Sequence, residues 1–177
     1  MKQEIIRTFR QFEEGYKKRN SDEIDQFMEL FCDDSEAQMI GIGATEPGKY
    51  EWFTGKKEIQ EIILSDWQYW GDVQFDIENI RISEKNDVAW FSLCATLEQI
   101  ESSEETWGFF EKQMKELLED KTKNAHDRMF EAAHFGVRRV RERNLGVGHK
   151  WKMVITGVLV KEDIWKFHAL HWSMPVD

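Results

Sequence analysis

The run Trp165-Lys166-Phe167-His168-Ala169-Leu170-His171-Trp172-Ser173-Met174-Pro175 closes the chain's last quarter, where two strand-like segments, Trp151 to Lys161 and Asp163 to Met174, stand almost back to back. Large apolar and aromatic side chains fall on both parities of this hairpin, so the sheet it joins has no simply solvated face. One face must receive helices, and the other a partner or a further layer.

Outward from the hairpin, the pattern alternates between helix and strand. Ile5, Ile6, Phe9, Phe12 and Tyr16 recur at helical spacing, and Ile24, Phe27, Met28 and Phe31 repeat it behind the break Asn20-Ser21-Asp22. Ala37 to Ile42 reads as a strand, followed by the glycine-rich turn Gly41 to Gly48. That turn lacks the G-x-G-x-x-G spacing of a dinucleotide cradle. A third helix runs from about Gly55 to Trp70 behind Thr54, with its stripe at Ile59, Ile62, Ile63, Trp67 and Trp70. Val73 to Ser83 and Asp87 to Leu97 read as paired antiparallel strands. Between Gln99 and Gly148 lies a two-helix insertion, with Ser102 and Glu105 as a capping box and Asn124 as the second cap. Neither a repeat nor a linker divides the chain, so residues 1–177 read as one domain carrying that insertion.

A chain of 177 residues buries about 70% of its unfolded surface and needs no covalent staple. The two cysteines, Cys32 and Cys94, lack disulfide or zinc-site spacing and read as small buried apolar residues in a reducing compartment. The formal charge of -10 disfavours nucleic acid and anionic membrane surfaces as partners. A charged N-terminus and the absence of a run of ~20 apolar residues point to a cytoplasmic protein.

The order of helices and curved antiparallel strands is that of an α+β cone. Ile40-Gly41-Ile42-Gly43-Ala44-Thr45-Glu46, Phe53-Thr54-Gly55-Lys56-Lys57-Glu58-Ile59, Asp66-Trp67, Gly157-Val158-Leu159-Val160-Lys161-Glu162 and Trp165 to Ser173 resemble the SnoaL-like group of the nuclear transport factor 2-like superfamily. The resemblance implies a curved antiparallel sheet wrapped around N-terminal helices, with a pocket between them. It also implies a homodimer joined through the outer sheet face, and relatives that include isomerases, cyclases, dehydratases and association domains. The insertion at 99–148 departs from the short members of that group.

Several residues are candidates for chemistry. Asp66 shares the apolar stripe of the third helix, where desolvation raises a carboxyl toward values useful in proton transfer. In relatives of this kind an acidic pocket residue is the general base. The competing role is acceptor of a hydrogen bond from a buried indole or a backbone amide. His168 and His171 point to opposite faces of a regular strand. Strict alternation places Trp165, Phe167, Ala169, His171 and Ser173 inside the cone and Lys166, His168, Leu170 and Trp172 outside, making His171 the titratable pocket residue. No metal ligand set shows at sensible spacing, and no cofactor is expected. Among the eight tryptophans, Trp52, Trp67, Trp70, Trp90 and Trp151 are candidates for an aromatic pocket wall, with Glu46 at its rim. Arg138, Arg139, Arg141 and Arg143 either clamp an anion or complement a helix C-terminus.

Three functions fit: a homodimeric protein holding a small apolar or aromatic ligand, a cofactor-free isomerase, cyclase or dehydratase with Asp66 as base, and an association module whose cone is filled by side chains. The first asks least of the sequence.

Overall fold

Helix α1 (Lys2–Lys18) buries Ile5, Ile6, Phe9, Phe12 and Tyr16, the stripe that its spacing requires. It ends at Arg19, whose φ of 52° is left-handed and whose N–H donates to the Gly15 carbonyl at 2.9 Å. The Asn20 side chain accepts from the Asp22 N–H and caps a single 3-10 turn, Ser21–Glu23. Helix α2 (Ile24–Met28) follows. It stops short of Phe31 because the Leu30 carbonyl accepts from Phe167 N–H (2.7 Å) and Cys32 N–H donates to the Phe167 carbonyl (3.0 Å).

The computed structural model describes residues 2–48, 50–143 and 146–174. The chain forms two units, Met1–Leu97 with Lys152–Asp177, and Glu98–Trp151. The remaining elements are β1 (Gln38–Ile40), β2 (Trp52–Thr54), α3 (Gly55–Tyr69), β3 (Asp72–Phe75), β4 (Arg81–Lys85), β5 (Val88–Glu98), α4 (Ser103–Glu119), α5 (Ala125–Arg143), β6 (Lys150–Lys161) and β7 (Trp165–Ser173). The strands form one curved, unclosed sheet of order β2-β1-β7-β6-β5-β3, with β4 paired to β5.

Two expectations about the strands need correction. The segment expected as one strand from Val73 to Ser83 is β3 and β4 separated by a 3-10 turn, Ile77–Asn79. The sheet is mixed rather than antiparallel: β1 runs parallel to β7, with Met39 beside Leu170. More than a hundred residues separate these two strands, so no tight hairpin dictates their direction.

In the first unit, Phe9 meets Phe91 (4.8 Å), Phe75 (5.3 Å) and Phe167 (5.4 Å) edge to face. Phe12 stacks on Tyr16 at 4.8 Å. Ala89, Phe91, Leu93, Ala95 and Leu97 turn one face of β5 into this core, while Val88, Trp90 and Cys94 are exposed on the other. Cys94 is therefore not the buried apolar residue that the sequence suggested.

Strand β7 departs from regular alternation at one residue. Val158 pairs with Ala169 but Leu159 pairs with Phe167, leaving His168 as the extra residue of a β-bulge. The bulge reverses the parity of the strand's second half. Phe167 is inside, and so are Leu170 and Trp172, while His171 and Ser173 are exposed. The expected face assignment is thus corrected beyond residue 168.

The second unit contains α4 and α5. Ser102 and Glu105 form the reciprocal capping box, Asn124 accepts from the Asp127 N–H at 2.9 Å, and Phe110 stacks on Phe135 at 5.7 Å. The side chains of Arg138, Arg139, Arg141 and Arg143 lie outside the described residues. Among the described residues no helix is long and apolar enough to cross a membrane.

Candidate functional site

Asp66 is half-buried on α3, the helix that buries Ile59, Ile63 and Trp67. Its Oδ2 accepts the Tyr16 hydroxyl at 2.8 Å. Burial, reinforced by the Asp66 carboxylate, holds the Tyr16 phenol well above its ordinary pKa, so the phenol remains a donor. Around the same pair, Arg19 Nη1 donates to the carbonyls of Asp66 (3.3 Å), Trp67 (3.0 Å) and Trp70 (3.1 Å). Its Nη2 meets Asp72 at 2.7 Å. The left-handed end of α1 thereby caps the C-terminus of α3. The sequence suggested an indole or a backbone amide as Asp66's donor; Tyr16 adds a phenol, whose helical register on α1 offered no signal pointing to α3.

The other candidates are dispersed. Trp70 packs edge to face on Trp172 at 5.3 Å and on Tyr16 at 6.2 Å, while Trp67 packs on Phe27 at 5.1 Å. Trp52 is half-buried on β2 and Glu46 is exposed on the glycine-rich loop. Trp90 projects outward from β5, 49% exposed. Trp151 belongs to the second unit, where it meets His149 at 4.7 Å. His171 lies on the outward face of β7. Within the first unit, Trp67 and Trp70 are buried whereas Trp90 faces outward, so these three do not share one wall.

A cleft of about 360 Å³ opens where α1, α2 and α3 meet. Residues 7, 10, 11, 14 and 18 of α1 border it, the face of that helix opposite its core stripe. Phe27, Leu30 and Trp67 supply its apolar lining. The helices approach closely here: a Cβ on Gly15, which also lines the cleft, would come 2.2 Å from the Phe27 ring. The Trp67 indole N–H is buried and has no hydrogen-bond partner among the described residues. A buried donor in that state costs about 1–3 kcal/mol.

A second cluster joins residues that the sequence kept far apart. Cys32, Asp34 and His168 each place a potential ligand atom within 4.8 Å of the others, and His168 Nδ1 stands 3.1 Å from Asp34 Oδ2. Burial first, then the carboxylates of Glu162 and Asp34, push the Cys32 thiol up to about 11. Free of any ligand, this sulfur stays protonated at neutral pH and is a poor nucleophile.

A family model described as a SnoaL-like domain matches residues 5–116. The chain belongs to the SnoaL-like domain family. No curated protein matches it. Among solved structures, the SnoaL-like chain is similar to a nuclear transport factor 2-like superfamily protein from Salmonella enterica serovar Typhimurium, with 14% identity, 99% and 92% of the two chains covered and a TM-score of 0.59. It is also similar to a proposed dehydratase of the NTF2-like family from Streptomyces avermitilis, with 12% identity, 99% and 97% covered and a TM-score of 0.58. An NTF2-like protein from Shewanella oneidensis is similar over 97% of both chains at 14% identity, with a TM-score of 0.54. At these identities the likeness concerns the fold, and activity has to be argued from the site.

Proposed function

We propose that this SnoaL-like protein binds a small molecule without transforming it, in the cleft between α1, α2 and α3. The observation that carries this reading is the cleft itself. Its volume of about 360 Å³ lies within the range of small-molecule sites, and Phe27, Leu30 and Trp67 give it an apolar floor. Lys18 on its border is paired with Glu14 at 3.4 Å, and Arg7 and Arg10, beside the carboxylates of Glu14 and Glu23, favour a flat, largely apolar ligand that carries a hydrogen-bond acceptor. This moves the ligand from the cone interior to its helical side. Asp66, held by Tyr16, serves the architecture in this reading rather than the removal of a proton. The protein acts as a homodimer through the outer sheet face, where Val88 and Trp90 of β5 and Val154 of β6 are exposed.

The test is native mass spectrometry of the protein purified gently from its own cells, followed by denaturation to release and weigh whatever it carries. The expected result is one small molecule per chain, lost in Arg10→Glu and retained in Asp66→Asn. A ligand that survives Arg10→Glu would place the site elsewhere. Chemical conversion of the released molecule by wild type but not by Asp66→Asn would replace the binding reading with the isomerase, cyclase or dehydratase reading.

A further inference from the structure

We infer that Cys32, Asp34 and His168 form a binding site for a divalent transition-metal ion, with zinc as the fitting metal and a fourth coordination position open to solvent. The site depends on the local fold and not on the helical cleft. The chain leaving α2 runs alongside β7, fixed by the two backbone hydrogen bonds between Leu30 and Cys32 on one side and Phe167 on the other. This pairing sets Cys32 and Asp34 next to the bulge residue His168. Asp34 is itself oriented: its Oδ1 accepts the Glu36 N–H at 2.8 Å, which leaves Oδ2 facing His168 at 3.1 Å.

The geometry suits a small tetrahedral ion. Zinc binds thiolate sulfur at about 2.3 Å and imidazole nitrogen or carboxylate oxygen at about 2.0–2.2 Å, which puts neighbouring donors roughly 3.3–3.7 Å apart. The nitrogen and oxygen are already near that spacing, and all three donors lie within 4.8 Å. A side-chain movement of about 1 Å completes the set. The donors select the metal as well. One sulfur, one imidazole nitrogen and one carboxylate oxygen are the ligands of zinc and its neighbours, whereas magnesium and calcium prefer oxygen alone. A thiolate and a carboxylate together neutralise a dication.

The surrounding charges do not oppose an ion. Lys166, the buried cation of this region, is engaged by Glu162 at 2.8 Å and by Asp163 at 3.6 Å. Lys56 is engaged by Asp33 at 2.5 Å and by Glu29 at 3.4 Å. Access is open on one side, because the side chains of Asp34 and His168 are 48% and 32% exposed, while Cys32 closes the inner side.

The test is titration of the chelator-treated, reduced protein with Co²⁺ in the absence of oxygen, read by the thiolate-to-cobalt charge-transfer absorption. One Co²⁺ per chain is expected, displaced by an equal amount of Zn²⁺. The band should persist in Cys94→Ser and vanish in Cys32→Ser. Affinity should fall about tenfold or more in Asp34→Asn and in His168→Gln. These two variants alter solvent-accessible side chains and carry the test should Cys32→Ser fail to fold. Absence of saturable binding, a band that survives Cys32→Ser, or unchanged affinity in both other variants would overturn the assignment.

Discussion

Arg19 combines two roles that its type alone does not suggest. Its backbone occupies the left-handed region at φ 52°, and its guanidinium holds three carbonyls at the end of α3 together with Asp72. Arg19→Ala removes charge-assisted hydrogen bonds and keeps the strained backbone, so a loss of about 2–3 kcal/mol is expected in urea denaturation. Arg19→Gly removes the same bonds but relieves the backbone, and should be about 1 kcal/mol more stable than the alanine variant. Equal stabilities would show that the left-handed turn costs nothing. Glu13 makes a pH-dependent contribution. Burial raises its carboxyl above the ordinary 4.5, against the opposing pull of the Phe75 N–H and of Arg10. The native state therefore holds this proton more tightly than the unfolded chain does. Its stabilisation is full below pH 4.5 and is lost as pH rises through the elevated native value. Glu13→Gln, which keeps an acceptor for Phe75, should gain stability relative to wild type between about pH 4 and neutrality. A relative loss over that interval, read from urea midpoints, would contradict the assigned direction.

At the scale of elements, β6 has one position, Gly157, with no room for a side chain. A Cβ on Gly157 would come 2.2 Å from the Ala169 carbonyl and 2.7 Å from the Phe91 ring. The first of these neighbours is backbone and cannot swing away. Gly157→Ala is expected to cost about 1–3 kcal/mol or more, whereas Gly108→Ala, where nothing lies within 4 Å of the new methyl group, should be neutral or slightly stabilising through helix propensity. Thermal unfolding of both variants checks the contrast. The legibility of elements follows the same division between local and distant causes. The α1 stripe and the Ser102 capping box could be read from spacing, because each is a local pattern, whereas the two faces of β5 could not, because apolar Val88, Trp90 and Cys94 occupy its exposed side. The parallel pairing of β1 with β7 and the contact of Asp34 with His168 depend on residues 134 apart for that second pair, and no local pattern encodes them. Asp66 was legible as a member of the α3 stripe and is half-buried there, but Tyr16 as its partner was not, since Tyr16 read only as one more apolar position of α1.

For the whole molecule, the proposed homodimer joins through the outer face of the sheet. Trp90 is its largest exposed apolar side chain, 49% exposed, and aromatic anchors carry most of the energy of such contacts. Trp90→Glu should therefore shift the mass measured by light scattering from dimer to monomer, with the secondary structure unchanged. A dimer that persists in this variant would move the interface off the β5 face. The bulge at His168 has a bearing on that same face. Were the strand regular, Leu170 and Trp172 would stand in the open and His171 and Ser173 would be sealed inside, leaving a greasy exterior and stranded polar groups within. One surplus residue thus works as a phase slip that restores the match between sequence and surroundings. A substitution scan along this strand should show its tolerance for polar side chains changing from even to odd positions, or back, at a single point.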